Sequence, residues 1–187
     1  HIAVEAESGS YGLFQSGASL NITKGAFANQ VSGSLNRCDG GTENSDSKMQ
    51  KIYYQGHYIH QDLNVNWQTG FINKDYGANT FYSGIYPNQF DHNRKYFASV
   101  KAETKGIFHF KPIIYWTQAF DRFELIRGDE SKVPFNYHKT TTYGVNLNSY
   151  FTTQLGKTAF GIETRNEDII STKLGETLDE PKHISGT

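Results

Sequence analysis

Between Leu63 and Phe71 one parity of the chain carries Leu63, Val65, Trp67 and Phe71, and the other carries Asn64, Asn66 and Gln68. A period of two belongs to a β-strand with one apolar and one polar face. The pattern recurs along the chain: Ala18, Leu20 and Ile22 oppose Gly17, Ser19 and Asn21, and Ile52, Tyr54 and Tyr58 oppose Lys51, Gln55 and His57. Val145, Leu147 and Phe151 oppose Asn146, Asn148 and Thr152, while Phe160 and Ile162 oppose Gly161, Glu163 and Arg165. It predicts about nine strands, over residues 2–8, 14–23, 26–37, 51–60, 63–72, 95–104, 107–120, 141–154 and 158–166.

The links between these segments alternate in length. Lys24-Gly25, Gln61-Asp62, Lys105-Gly106 and Leu155-Gly156-Lys157 read as tight hairpins, whereas 38–50, 73–94 and 121–140 are long and polar. All the long links therefore fall at one end of the sheet. Short turns at one end and long loops at the other, on strands with one apolar and one polar face, are the plan of a transmembrane β-barrel. The expected fold is all-β, an antiparallel up-and-down transmembrane β-barrel, partial, with residues 1–187 forming about nine strands of a larger barrel. A soluble lipocalin-like barrel, with the apolar parity turned inward around a ligand, is the alternative. By the first reading Leu63, Val65, Trp67, Leu147, Phe160 and Ile162 face lipid. Pro112 falls inside a predicted strand, where it predicts a bulge or an unpaired position.

Composition narrows the choice. Among 187 residues 14% are aromatic, yet mean hydropathy is -0.61, and no apolar run approaches the roughly 18 residues of a membrane helix. A formal net charge of -1 without a Lys/Arg cluster excludes a nucleic-acid surface, which needs concentrated positive charge. The single cysteine, Cys38, allows neither an internal disulfide nor a Cys-based zinc site. His1 already stands in a strand-like alternation, and after Arg165 the chain is polar with no returning strand. Both ends suggest a piece of a longer protein.

Three stretches carry a resemblance. Residues 5–12 (EAESGSYG) resemble the first barrel strand and outer turn of TonB-dependent outer-membrane receptors. Residues 76–89 (YGANTFYSGIYPNQ) look like a long outer loop of such receptors from Bacteroidetes, often assigned to cobalamin, and 143–150 with 156–161 resemble a later hairpin. The resemblance implies a bacterial outer-membrane barrel, here without its plug domain, whose partners are that plug, the rest of the barrel, membrane lipid, the TonB complex through segments outside this chain, and a large nutrient. Cobalamin comes first, siderophore or haem next. Import of this kind makes and breaks no bond, so no enzyme activity is expected.

Aromatic and amide side chains can stack on and hydrogen-bond a large amphipathic ligand. Tyr76, Asn79, Phe81, Tyr82, Tyr86, Asn88 and Gln89 are the expected ligand contacts. Asp39, Glu43 and Asp46 share one glycine-rich loop and are oxygen donors suited to a structural calcium, although the loop lacks EF-hand spacing. His57, His60, His92, His109 and His138 form no HExxH pattern, and no catalytic role is expected of them. Glu5, Glu7, Lys101, Glu103, Glu163 and Arg165 fall on the polar parity, which in a plugged barrel meets water and the plug.

Overall fold

The computed structural model describes residues 1–172 and the strand at 183–186. One open antiparallel sheet runs in chain order: β1 (Ile2–Ser8), β2 (Phe14–Lys24), β3 (Phe27–Cys38), β4 (Ser47–Ile59), β5 (Leu63–Gly77), β6 (Phe90–Thr104), β7 (Phe108–Glu124), β8 (Asn136–Thr153), β9 (Gly156–Ser171) and β10 (His183–Gly186). The elements touch only their neighbours in the sheet. The all-β, up-and-down architecture is as the alternation predicts.

Three expectations are corrected. A tenth strand does return, with His183 opposite Glu167; its polar sequence hid it. The strands are longer than the alternation suggests, β5 reaching Gly77 and β6 starting at Phe90. The three long loops shrink accordingly to residues 39–46, 78–89 and 125–135. The β8–β9 turn is Gln154-Leu155, with Thr153 paired to Gly156. At Pro112 the two sides of β7 differ: Pro112 stays in register with Leu147 of β8, but the β6 ladder stops at Lys101–Ile113. The prolyl nitrogen has no proton to donate, and just beyond it the Phe110 amide turns to the Thr104 hydroxyl at 2.9 Å.

Register sorts the side chains into two faces, because directly paired residues share a face. The row Asn29–Gly56–Trp67–Val100–Ile114–Val145 crosses six strands on one of them. Following that parity, Ile2, Val4, Ile22, Val31, Ile52, Leu147, Phe160 and Ile162 join it and remain exposed. Of the large hydrophobic strand residues left exposed, Ile59 alone belongs to the other parity, at the last position of β4. Leu63, Val65 and Trp67 lie on the apolar face as expected.

Aromatic rings band this face at two heights. Toward the long loops Phe71 meets Tyr96 at 5.0 Å and Tyr96 meets Phe120 at 6.3 Å. Near the tight turns Phe27 lies 4.7 Å from Tyr58, and Phe108 contacts Phe151 and Phe160. On β7 the bands at Phe108 and Phe120 are twelve residues apart, with Phe110, Pro112, Ile114 and Trp116 on this face between them, close to the strand length of about ten residues that crosses a hydrocarbon layer when tilted. Beyond the outer band the same parity turns polar, with Asn73, Asp75, His92, Arg94, Arg122 and Lys139.

The opposite face carries hydrogen-bonded polar groups. Gln55 donates to Gln30, the Tyr53 hydroxyl lies 2.9 Å from the side-chain oxygens of both Gln55 and Gln68 and shares its one proton between them, and Gln68 donates to the Ser99 hydroxyl at 3.1 Å. Lys111 pairs with Glu103 at 2.8 Å, and Tyr115 donates to Glu163 at 3.2 Å. Glu5, Glu7, Lys101, Glu103, Glu163 and Arg165 all lie on this face by register. A dry core would hold such groups at high cost, whereas a wetted surface does not.

Candidate functional site

The loops at the far end from the tight turns are tied together by one guanidinium. Arg127 donates from Nη1 to Asp46 at 2.5 Å and to Asn44 at 3.1 Å, and from Nη2 to Asp46 at 2.9 Å. Its charge lies over the Phe90 ring at 4.2 Å, and its backbone amide donates to the Asn88 carbonyl at 2.8 Å. Asn44 in turn donates to the carbonyls of Pro87 and Gln89. Loops 39–46, 78–89 and 125–135 thus form one rim. Gly77 closes against this joint: a Cβ there would stand 2.4 Å from the Asn44 carbonyl oxygen.

The Arg127 hydrogen bond holds the Asp46 carboxyl below the usual carboxylate range. A carboxyl depressed in the folded state contributes stability above its unfolded pKa of about 3.9, and that contribution is lost as pH falls through the folded value. Both partners keep 40% of their side-chain surface, so the pair contributes about 1 kcal/mol or less. Spin labels on loops 39–46 and 125–135 should give a narrow distance distribution at pH 7 that broadens below about pH 4. In Asp46→Ala it should be broad at both pH values; a narrow distribution in that variant would show that the loops are held by other contacts.

Inside the rim a second cluster lies on the polar face. Tyr76, Asp91 and Phe123 are paired across β5, β6 and β7. Loop 78–89 folds over them, setting Tyr82 edge-on to Phe123 at 5.2 Å with its hydroxyl 3.4 Å from that of Tyr76. Burial, and then Tyr76 and the Asp91 charge, push the Tyr82 hydroxyl well above its ordinary range; burial raises Tyr76 as well. Both phenols therefore keep their protons as donors. Asp91 is 7% exposed, and its Oδ2 has no hydrogen-bond partner among the described residues. Beyond this cluster Phe81 and Ile85 project into solvent at 76% and 82% exposure, with Tyr86 beside them. The arrangement offers flat apolar surface outside and neutral donors with one acceptor inside.

The expected ligand contacts divide in role. Tyr76 sits in β5 rather than in a loop. Phe81, Tyr82 and Tyr86 present rings, and Asn88 is exposed. Asn79 is committed to the neighbouring loop, donating to the Glu43 carbonyl at 2.7 Å. Gln89 is fully buried, accepting from the Tyr82 amide and donating to the carbonyls of Ser83 and Tyr86; it shapes the loop from within. Asp91 and Phe123 escaped the sequence reading, since only strand register brings them beside Tyr76. The proposed calcium donors are not brought together. Asp39 pairs with Arg37 at 3.1 Å and Asp46 with Arg127, and no group of three His, Cys, Asp or Glu side chains converges among the described residues. Two arginines take up the carboxylates that a cation would need.

Comparison with known proteins adds the fold. A solved chain titled copper transporter OprC superposes over 91% of this chain with a TM-score of 0.71, at 14% sequence identity. The chain is an arc of barrel wall. It spans 28% of the OprC chain. No family model matches the sequence, and no curated protein does.

Proposed function

We propose that this chain is a wall segment of a TonB-dependent outer-membrane importer. Its apolar face meets lipid, its polar face meets a watery lumen and the protein's own plug domain, and the rim of loops 39–46, 78–89 and 125–135 takes cargo on the outside. TonB is engaged through segments outside these residues, and the remainder of the barrel covers β1 and β10. The segment transports and carries out no chemistry. One observation carries the reading: apart from Ile59 at the end of β4, the exposed large apolar side chains of the strands share a single face, with charges and amides on the other. In a soluble lipocalin-like barrel the chain itself would cover the apolar face, and among the described residues no element packs across it.

Cargo is read from the rim. Exposed Phe81, Ile85 and Tyr86 outside, with Tyr76, Tyr82 and Asp91 inside, suit a large amphipathic nutrient, cobalamin first and siderophore or haem after it. Copper favours soft sulfur and imidazole donors. This arc holds one Met and one Cys, and no three-residue donor group among its described residues.

Both tryptophans, Trp67 and Trp116, lie on the apolar face. In a complete barrel retaining only these two tryptophans, lipids brominated at mid-chain should quench their fluorescence strongly, and aqueous acrylamide weakly. The reverse order would place the apolar face away from lipid and end the reading.

A further inference from the structure

We propose that the outward face of β6–β9, just beyond the outer aromatic band, is a docking site for the phosphate groups of a phosphorylated glycolipid in the outer leaflet. This rests on the reading that the apolar face meets lipid. Two adjacent rows build the site: Arg94–Phe120–Lys139–Ile170 and, one step further out, His92–Arg122–Tyr137. They enclose a cavity of about 220 Å³. The first row stands two residues outward of Tyr96, about 7 Å along the strand, the depth at which a headgroup meets the hydrocarbon boundary.

The charges here are unspent. Arg94 is exposed and has no ion pair, hydrogen bond or ring contact among the described residues. Lys139 has one contact, its ammonium 5.7 Å from the Phe120 ring centre, which holds its stem along apolar surface with the charge at the top. Arg122 pairs through Nη2 with Glu124 at 2.9 Å, but its Nε is buried without a partner, as is His92 Nε2. Of the carboxylates on this face, Asp75 is turned to His92 and Asn73, and Glu124 to Arg122 and the Gly128 amide, while Asp168 lies one row toward the tight turns, two residues from Ile170 along β9. Asp121 and His138 also border the cavity, but their side chains belong to the polar parity.

The Arg94 guanidinium and the Lys139 ammonium match a phosphate, which accepts several charged hydrogen bonds. Phe120 and Ile170 beside them give an acyl chain somewhere to lie. A small free anion would use the cations and leave that apolar floor uncovered, so the occupant carries phosphate and hydrocarbon together.

Native mass spectrometry of the delipidated complete barrel tests this with three probes: bis-phosphorylated lipid A, the same lipid stripped of phosphate, and glucosamine phosphate without acyl chains. The phosphorylated lipid should bind about tenfold or more tightly than the stripped one. Arg94→Gln with Lys139→Gln should abolish that preference, and Arg94→Lys with Lys139→Arg should keep most of it. Arg94→Gln alone breaks no contact among the described residues and should reduce the preference severalfold. No preference in the natural protein, or a preference that survives the double Gln variant, overturns the proposal. So does acyl-free headgroup binding as tightly as the lipid, which would mark a free-phosphate site. Bromolipid quenching on the same preparation separates the two readings. Quenching without phosphate preference ends this proposal alone, and absent quenching ends the lipid-facing assignment with it.

Discussion

Arginine in place of Val100 should destabilise the barrel in a bilayer by about 2–4 kcal/mol, whereas arginine in place of its neighbour Ser99 should cost about 1 kcal/mol or less. Val100 is 47% exposed on the apolar face, in the row Trp67–Val100–Ile114–Val145. Tyr96 in the outer band and Thr104 at the turn end of β6 each lie four residues away, about 13 Å along the strand, so Val100 sits near the midplane. A guanidinium there is too far from either interface to reach water along its own length. Ser99 points to the face where Gln68 and Tyr53 share hydrogen bonds, and a charge there is wetted. Urea titration of the barrel folded into lipid vesicles measures both. Equal costs would mean the two faces meet similar surroundings.

Register also shows which part of the wall the hydrophobic pattern could report. Alternation marks a strand only where its faces meet different solvents. Leu63 to Phe71 is legible for that reason, and residues 72–77 of the same strand are not, because Asn73, Lys74 and Asp75 place polar groups on both faces where both are wet. The same holds for Asp91, His92, Asn93 and Arg94 at the outer start of β6. The bounds of the three long loops were therefore misplaced in one direction, always too far toward the tight turns.

The rim was legible as a region and only partly as a set of residues. The aromatics of 81–86 stand out in the sequence, and they are exposed in the structure. That Gln89 would be an internal strut, and Asn79 a tie to another loop, depends on a loop fold that composition does not specify. Arg127 has no sequence signal at all: its partners Asn44 and Asp46 lie more than eighty residues earlier. Nor does the sequence show that Asp39, Glu43 and Asp46 are not brought together among the described residues. Three acids in one loop look like a site until a distant arginine is seen to claim one of them.

Glycines inside strands did carry a signal, which becomes readable once register is known. Gly56, Gly70 and Gly144 are each paired directly with an aromatic residue, Trp67, Phe97 and Tyr115, whose side chain lies where a Cβ would be. The aromatic side chain covers backbone that the glycine leaves bare.

At Gly56 the fit supports a hydrogen-bonded chain on the apolar face: Trp67 donates from Nε1 to the Tyr54 hydroxyl at 3.0 Å, and that hydroxyl donates to Asn29 Oδ1 at 2.8 Å. These groups satisfy one another on a face that is otherwise largely apolar. A Cβ at Gly56 would stand 2.4 Å from the indole and 2.7 Å from Asn29 Oδ1, so Gly56→Val must displace the ring and break the chain. The cost should be on the order of 3 kcal/mol, from overpacking together with an unpaired hydroxyl. If displacement of the indole is the cause, the same Val in a Trp67→Ala background should cost about 1 kcal/mol, the remainder appearing as coupling between the two sites. Additive costs in that double-mutant cycle would place the penalty in the β4 backbone and remove the indole from the explanation.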